Sequence, residues 1–239
     1  MSTPTNVTKL LEDYVSKGIK VIPVYDSKRI IREYGIPVTE MVLARNLEEA
    51  VQASKKLGFP LVMKISSPDV VHKTDIGGVI LGISSLEELE NAYKKIIENV
   101  RKKVPHARIE GVVLEEMVEK HYEVIVGGVR DPQFGPTIMF GMGGVFVEVF
   151  KDVAFGIAPL TKEEAMELID STKASKILRG YRGGFTGDID ALADVLVKTS
   201  KMMWDLKEYI KEMDLNPVAV LEDKKGIKVL DARIVLEKI

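Results

Sequence analysis

The chain contains no cysteine, which removes disulfide bridges, thiolate metal sites and cysteine nucleophiles from consideration and fits a reducing compartment. Long apolar runs are missing too, and nothing approaches the roughly 18 residues of a membrane-spanning helix. Neither sign of charge dominates: 34 Lys and Arg stand against 36 Asp and Glu, a formal charge of -2. No overall basic field therefore attracts nucleic acid or anionic lipid, and any charged ligand must be held locally. The opening MSTPTNVTKLLEDYVSKG scatters charges where a signal peptide needs an apolar centre. The expectation is a cytoplasmic protein with no membrane and no nucleic-acid partner. Abundant Lys and Glu without Cys resemble a heat-adapted composition.

What is present is ample material for packed cores, with 46% hydrophobic residues in 239. Asp26 or Ser27 is placed to cap the helix SKRIIREY, which Gly35 stops. Asn46 opens LEEAVQASKKL, Gly58 closes it, and PLVMKI reads as a strand. GGVILGI is a second strand, and Ser84 with Glu87 forms a capping-box pattern before a long helix. From Gly111 the texture changes to successive strands, GVVLEEMV, YEVIVGGVRD, GPTIMFGMGG and VFVEVFKDVAFGIAPL. Two helices follow: TKEEAMELI, boxed by Thr161 and Glu164, and DIDALADVLVKTSKMMWDLKEYI, with Leu192, Leu196, Met203 and Leu206 at helical spacing. A hairpin turning at residues 223–226 ends the chain. The organisation expected is α+β throughout: an N-terminal helical extension over 1–21, a smaller unit over 22–110 and a larger one over 111–239.

Chemistry-bearing residues stand out at several points. Asn216 and Asp231 lie about equally far from the hairpin turn, so they can face each other across the ladder as a two-oxygen platform suited to Mg²⁺ with nucleotide phosphates. Asn216-Pro217 is equally readable as a strand end and Asp231 as a polar edge residue. Lys64, alone in an apolar strand, either reaches a phosphate or snorkels to solvent. LEEMV at 114–118 suits a segment that pairs its backbone with an adenine edge, or a half-exposed strand. GMGG at 141–144 lets amides approach a phosphate but lacks the spacing of a P-loop or dinucleotide fingerprint. His72, in SSPDVVHKTDIGGV, sits where a ring nitrogen can accept a phosphoryl group, with Lys73 and the Gly77-Gly78 amides to neutralise it and Asp75 or Asp214 to fix the tautomer. The same residue also reads as an exposed loop histidine. His106 and His121 have no comparable setting.

Taken in order, Lys64, HKTDIGGV, LEEMV, YEVIVGGVRD, GMGGVFVEVFKDVAFGIAPL, DLNPVAV and LDAR resemble the ATP-grasp proteins of the acyl-CoA synthetase superfamily, within it the β subunits of ADP-forming acetyl-CoA synthetases, found chiefly in archaea. The resemblance covers residues 22–239, and HKTDIGGV is its most specific element. It implies an ATP-grasp fold of two α+β subdomains with the nucleotide site between them, and ATP or ADP with Mg²⁺ as cofactors. It further implies that Lys64 binds ATP phosphate, that Glu115, Glu116, Met117 and Val118 form the hinge for adenine and ribose, and that Glu123 and Glu148 line the nucleotide site. Asn216 and Asp231 become magnesium ligands. His72 becomes the second phosphohistidine of a relay, with Asp214 as its acidic partner in place of the Glu found in succinyl-CoA synthetases.

The same resemblance implies acid–CoA ligase (ADP-forming) activity, acetyl-CoA + ADP + phosphate to acetate + ATP + CoA. It also implies a partner α subunit carrying the CoA site and its own phosphohistidine, in a heterotetramer of two α and two β chains. Two rival readings stay open at this point. One is an ATP-grasp carboxylate ligase without a histidine relay; the other is a regulatory nucleotide-binding module without chemistry.

Overall fold

The computed structural model describes residues 5–70, 73–143 and 152–237. His72, Glu148 and Gly144 lie outside these residues. The chain divides into two compact units, one formed by Met1–Val38 with Lys120–Ile239, the other by Thr39–Glu119.

The smaller unit is a four-stranded antiparallel sheet backed by two helices. Its elements are β2 (Met41–Ala44), α3 (Leu47–Leu57), β3 (Leu61–Ser66), β4 (Val79–Ile83), α4 (Leu86–Lys103) and β5 (Gly111–Glu116), and the strand order is β2-β5-β3-β4. Asn46 caps α3 as expected, its side chain accepting from the Glu49 amide at 2.8 Å. The cap of α4 falls one residue later than the sequence pattern placed it: Ser85 accepts from the Glu88 amide, and Glu88 reaches back to the Ser84 amide at 2.7 Å. Alternation sends Leu61, Met63 and Ile65 of β3 with Val112 and Leu114 of β5 into one core against Leu89, Ile96 and Val100 of α4.

The larger unit joins the two chain ends. It comprises α1 (Thr5–Ser16), β1 (Val21–Ile22), α2 (Val24–Glu33), β6 (Tyr122–Asp131), β7 (Gly135–Met142), β8 (Val153–Ile157), α5 (Lys162–Asp170), α6 (Ala174–Leu178), α7 (Ile189–Asp205), β9 (Ile210–Val220), β10 (Ile227–Val229) and β11 (Ala232–Leu236). The sheet runs β1-β11-β9-β6-β7-β8, with β10 also on β9. Leu192, Leu196, Met203 and Leu206 pack in its core with Val124, Val126, Phe140, Met213, Leu215 and Ile234. The Thr161–Glu164 capping box is present in both directions.

Three expectations are corrected. The boundaries at 22 and 111 do not separate the units. Val21 and Ile22 pair with Val235 and Ile234, which ties residues up to 38 to the larger unit, whereas β5 pairs with β2 and β3 and so belongs to the smaller one. Helix α2 starts at Val24 behind Pro23, with no side-chain cap. Asp26 instead accepts from the Tyr14 hydroxyl at 2.6 Å, and Ser27 donates to the Ile22 carbonyl. The helix expected to run through Ile210 ends at Asp205, and Ile210 begins β9.

Candidate functional site

In the smaller unit, Lys64 lies opposite Val113, and Glu115 opposite Val62, so the two charged residues are diagonal neighbours on the sheet face turned away from the core of that unit. Both are buried. The Lys64 ammonium stands 3.3 Å from Glu115 Oε2, and the Thr39 hydroxyl donates to the same oxygen at 2.7 Å. Glu116 Oε1 accepts from the Glu40 amide at 2.8 Å, and the Met117 amide donates to the Pro60 carbonyl. Residues 114–116 thus end β5, and the chain leaves the sheet at Met117 along a path fixed by the bonds of Glu116 to Glu40 and of Met117 to Pro60.

The stems of the HKTDIGGV segment are tied to the same unit. Asp69 accepts from the Arg108 amide at 2.7 Å; Asn99 and Lys103 of α4 donate to the carbonyls of Gly77 and Asp75 at 3.0 and 2.9 Å. The Gly77 and Gly78 amides, expected to face a phosphoryl group, donate instead to the Thr74 and Lys73 carbonyls. Gly77 is required by this turn, since it has φ +69° and a Cβ there would stand 2.6 Å from Asn99 Nδ2.

In the larger unit the hairpin register is the one the turn position demands. Leu215 pairs with Ala232 and Val218 with Val229, which sets Asn216 directly opposite Asp231, its amide donating to the Asp231 carbonyl at 3.2 Å. Against β6 the register of β9 shifts between Leu215 and Val218, so Asn216 and Pro217 form the bulge at this point. Asp214 precedes it, opposite Gly127 on one side and Arg233 on the other. Asp214, Asn216, Asp231 and Arg233 thus share the sheet face that Met213, Leu215, Ala232 and Ile234 leave by pointing into the core. Burial pushes the Asp214 carboxyl above its ordinary range; Arg233 opposes this, and Glu212 and Asp231 add to it. Glu123 is exposed on β6 opposite Ala219, with His121 Nε2 at 3.5 Å.

GMGG has a packing explanation for the two glycines inside the described residues: a Cβ on Gly141 would meet the Asp152 carbonyl at 2.7 Å, and one on Gly143 the Glu123 backbone at 2.9 Å. One residue escaped the sequence reading. Lys28 on α2 is fully buried, its ammonium 3.3 Å from the Leu230 carbonyl, next to Asp231. The signal was available, because Lys28 is one helical turn from Ile31 on the buried face of that helix.

The structure therefore brings Lys64 together with Glu115, and Asn216 together with Asp231 and Asp214. Side-by-side amide and carboxylate oxygens on a solvent-reached sheet face are hard donors of the kind Mg²⁺ takes. Among the described residues no helix is long and apolar enough to cross a membrane.

A family profile described as an ATP-grasp domain matches residues 13–236. The chain is 46% identical over 229 residues to the acetate–CoA ligase [ADP-forming] II subunit beta of Pyrococcus furiosus, covering 96% of this chain and 97% of that one. It is 48% identical to acetate–CoA ligase [ADP-forming] I of Archaeoglobus fulgidus over 95% of its own length, and there it spans only 33% of the relative. Among solved structures it superimposes with a TM-score of 0.92 and 48% identity on the Candidatus Korarchaeum cryptofilum dinucleotide forming acetyl-coenzyme A synthetase 1, in complex with coenzyme A and Ca-AMPCP, covering 96% of this chain and 99% of that one. A further structure of that protein holds Mg-AMPPCP, with a phosphohistidine segment pointing towards the nucleotide binding site; its TM-score is 0.84 at 44% identity, over 97% of this chain and 100% of that one.

Proposed function

The chain belongs to the ATP-grasp domain family, and on that premise we propose that it is the nucleotide-binding β subunit of an ADP-forming acyl-CoA synthetase of the acetate–CoA ligase type. The observation that carries this reading is the end-to-end match to a Pyrococcus furiosus β subunit, 96% of one chain on 97% of the other. The reaction is acetyl-CoA + ADP + phosphate to acetate + ATP + CoA. The chain works with an α subunit, two of each, that supplies the CoA and acyl sites, and does so in the cytoplasm.

Each residue takes a role that its chemistry supports. Lys64 binds nucleotide phosphate, and residues Glu115 to Val118 hold adenine and ribose. Glu123 and Glu148 line the nucleotide site. Asn216 and Asp231 hold Mg²⁺, which when bound with the nucleotide neutralises charge on the phosphate oxygens. His72 takes a phosphoryl group from the α-subunit histidine and gives it to ADP, the N–P bond breaking as the oxygen–phosphorus bond to the ADP β-phosphate forms. Asp214 orients the ring.

The test is co-expression with the α subunit and an assay for ATP made from acetyl-CoA, ADP and phosphate. His72→Ala is expected to abolish ATP formation while sparing acyl phosphate formation by the α subunit. ATP synthesis at the wild-type rate in that variant overturns the relay. Turnover of acetate, CoA and ATP by this chain alone overturns the two-subunit reading, and favours a carboxylate ligase.

A further inference from the structure

We propose that Arg233 is a catalytic residue for the phosphoryl group that passes to ADP: its guanidinium binds the oxygens of that group, beside the Mg²⁺ of Asn216 and Asp231. This rests on the reading of those two residues as the magnesium ligands, and brings in a side chain which that reading leaves unused.

Four side chains form a square on one face of the larger sheet. Asn216 stands opposite Asp231, and one step along both strands Asp214 stands opposite Arg233. All four share a side, because Met213, Leu215, Ala232 and Ile234 point the other way into the core. Arg233 is two residues from Asp231, about 7 Å along the strand, a span that an arginine side chain covers. The same face carries the carboxylates of Glu212, Asp214 and Asp231, each of which repels a phosphoryl group in transit. Transfer between anions is fast only where positive groups offset that repulsion and the charge on the transferred oxygens.

Arg233 is suited to the task. Its side chain is 40% exposed, so an anion reaches it from solvent. Among the described residues the guanidinium bonds Glu212 alone, and this ion pair holds the side chain on the sheet face. It does not close on Asp214 directly across the ladder, whose Oδ1 has no hydrogen-bond partner among the described residues. A guanidinium presents five N–H donors in a planar fork that matches phosphoryl oxygens, so the bond to Glu212 leaves one side of the fork to an anion.

The experiment compares two nucleotides on the full chain by calorimetry: MgADP, which lacks the transferred group, and MgAMPPCP, a non-hydrolysable analogue of ATP that carries it. Arg233→Met is expected to weaken MgAMPPCP about 30-fold and leave MgADP within about twofold, as for charge-assisted bonds to one phosphoryl group. Arg233→Lys keeps the charge without the fork and should lose about fivefold. Glu212→Gln keeps an acceptor for the guanidinium and should hold both affinities within about threefold. With the α subunit added, kcat for ATP formation by Arg233→Met should fall about 100-fold or more while KM for ADP stays within about twofold. Equal losses of both nucleotides in Arg233→Met would place the residue on the metal or on ADP and overturn the proposal, and so would an unchanged MgAMPPCP affinity. A loss in Glu212→Gln as large as that in Arg233→Met would trace the effect to the ion pair and overturn it too. Failure of the underlying reading looks different: wild-type chain then binds neither nucleotide, or binds both as well without Mg²⁺, and the inference falls with the magnesium site.

Discussion

The two sheets handle charge in opposite ways. In the four-stranded sheet Lys64 and Glu115 are shut in and bonded to each other, with Thr39 donating to Glu115, so the groups that would meet a ligand are also part of the packing. In the larger sheet Asn216 is exposed and Asp231 half-buried on a face whose reverse side carries the core. Function and stability are expected to be coupled in the first region and separable in the second, because a buried charge loses solvation that only its partners return.

The largest effect tests separability. Asp231→Ala should weaken metal-dependent MgADP binding on the order of 100-fold, as expected when one of two protein oxygens is lost from a magnesium site. Its melting temperature should stay within about 2 °C of wild type, since the side chain lies off the core. Asn216→Ala should follow the same pattern more weakly. A collapse of the fold in either variant, seen by circular dichroism, would erase the distinction between the sheets.

The second test looks for the same coupling inside the larger unit, at Lys28. Lys28→Ala removes a fully buried stem and the donor to the Leu230 carbonyl, and should cost about 2 kcal/mol, a fall in melting temperature of roughly 4–8 °C. MgADP affinity should fall with it, because the strand it anchors leads directly into Asp231. A third, smaller effect is purely structural. Gly128→Ala would press a methyl group to 2.7 Å from Met203 Cγ and should cost about 1–2 kcal/mol, with nucleotide affinity unchanged in calorimetry.

How much of this was legible in the sequence follows from which interactions are local. The Asn216–Asp231 pairing was, because counting outward from a hairpin turn fixes register. The caps at Asn46 and Thr161 were, because a cap is decided within four residues. The unit boundary was not: residues 22–38 join the larger unit through pairing of β1 with β11, more than 200 positions away in the chain, and no local pattern reports that. The ATP-grasp resemblance came from motif order, yet the partner of Lys64 remained hidden. LEEMV places two acids in succession, and only the pairing of β5 with β3 decides that Glu115, not Glu116, faces the lysine.

Asp214 is where the comparison between the sheets can be sharpened most finely. It lies on the more open sheet, but its Oδ1 is buried with no hydrogen-bond partner among the described residues, and burial raises its carboxyl above the reference value of 3.8. For an acid raised in the folded state, the unfolded chain releases its proton first as pH rises. Stability is then lost as pH climbs through the raised folded value, and the cost is absent below 3.8, where both states are protonated. Asp214→Asn removes the ionisation, so it should raise the melting temperature at pH 7.5 by less than about 4 °C. The gain should shrink as pH falls toward 3.8. An equal gain at every pH would trace it to packing, and no gain would place Asp214 with the separable residues Asn216 and Asp231. If Asp214 also orients His72, the stabilised variant should make ATP more slowly with the α subunit present, which is the signature of a charge kept for function at the expense of the fold.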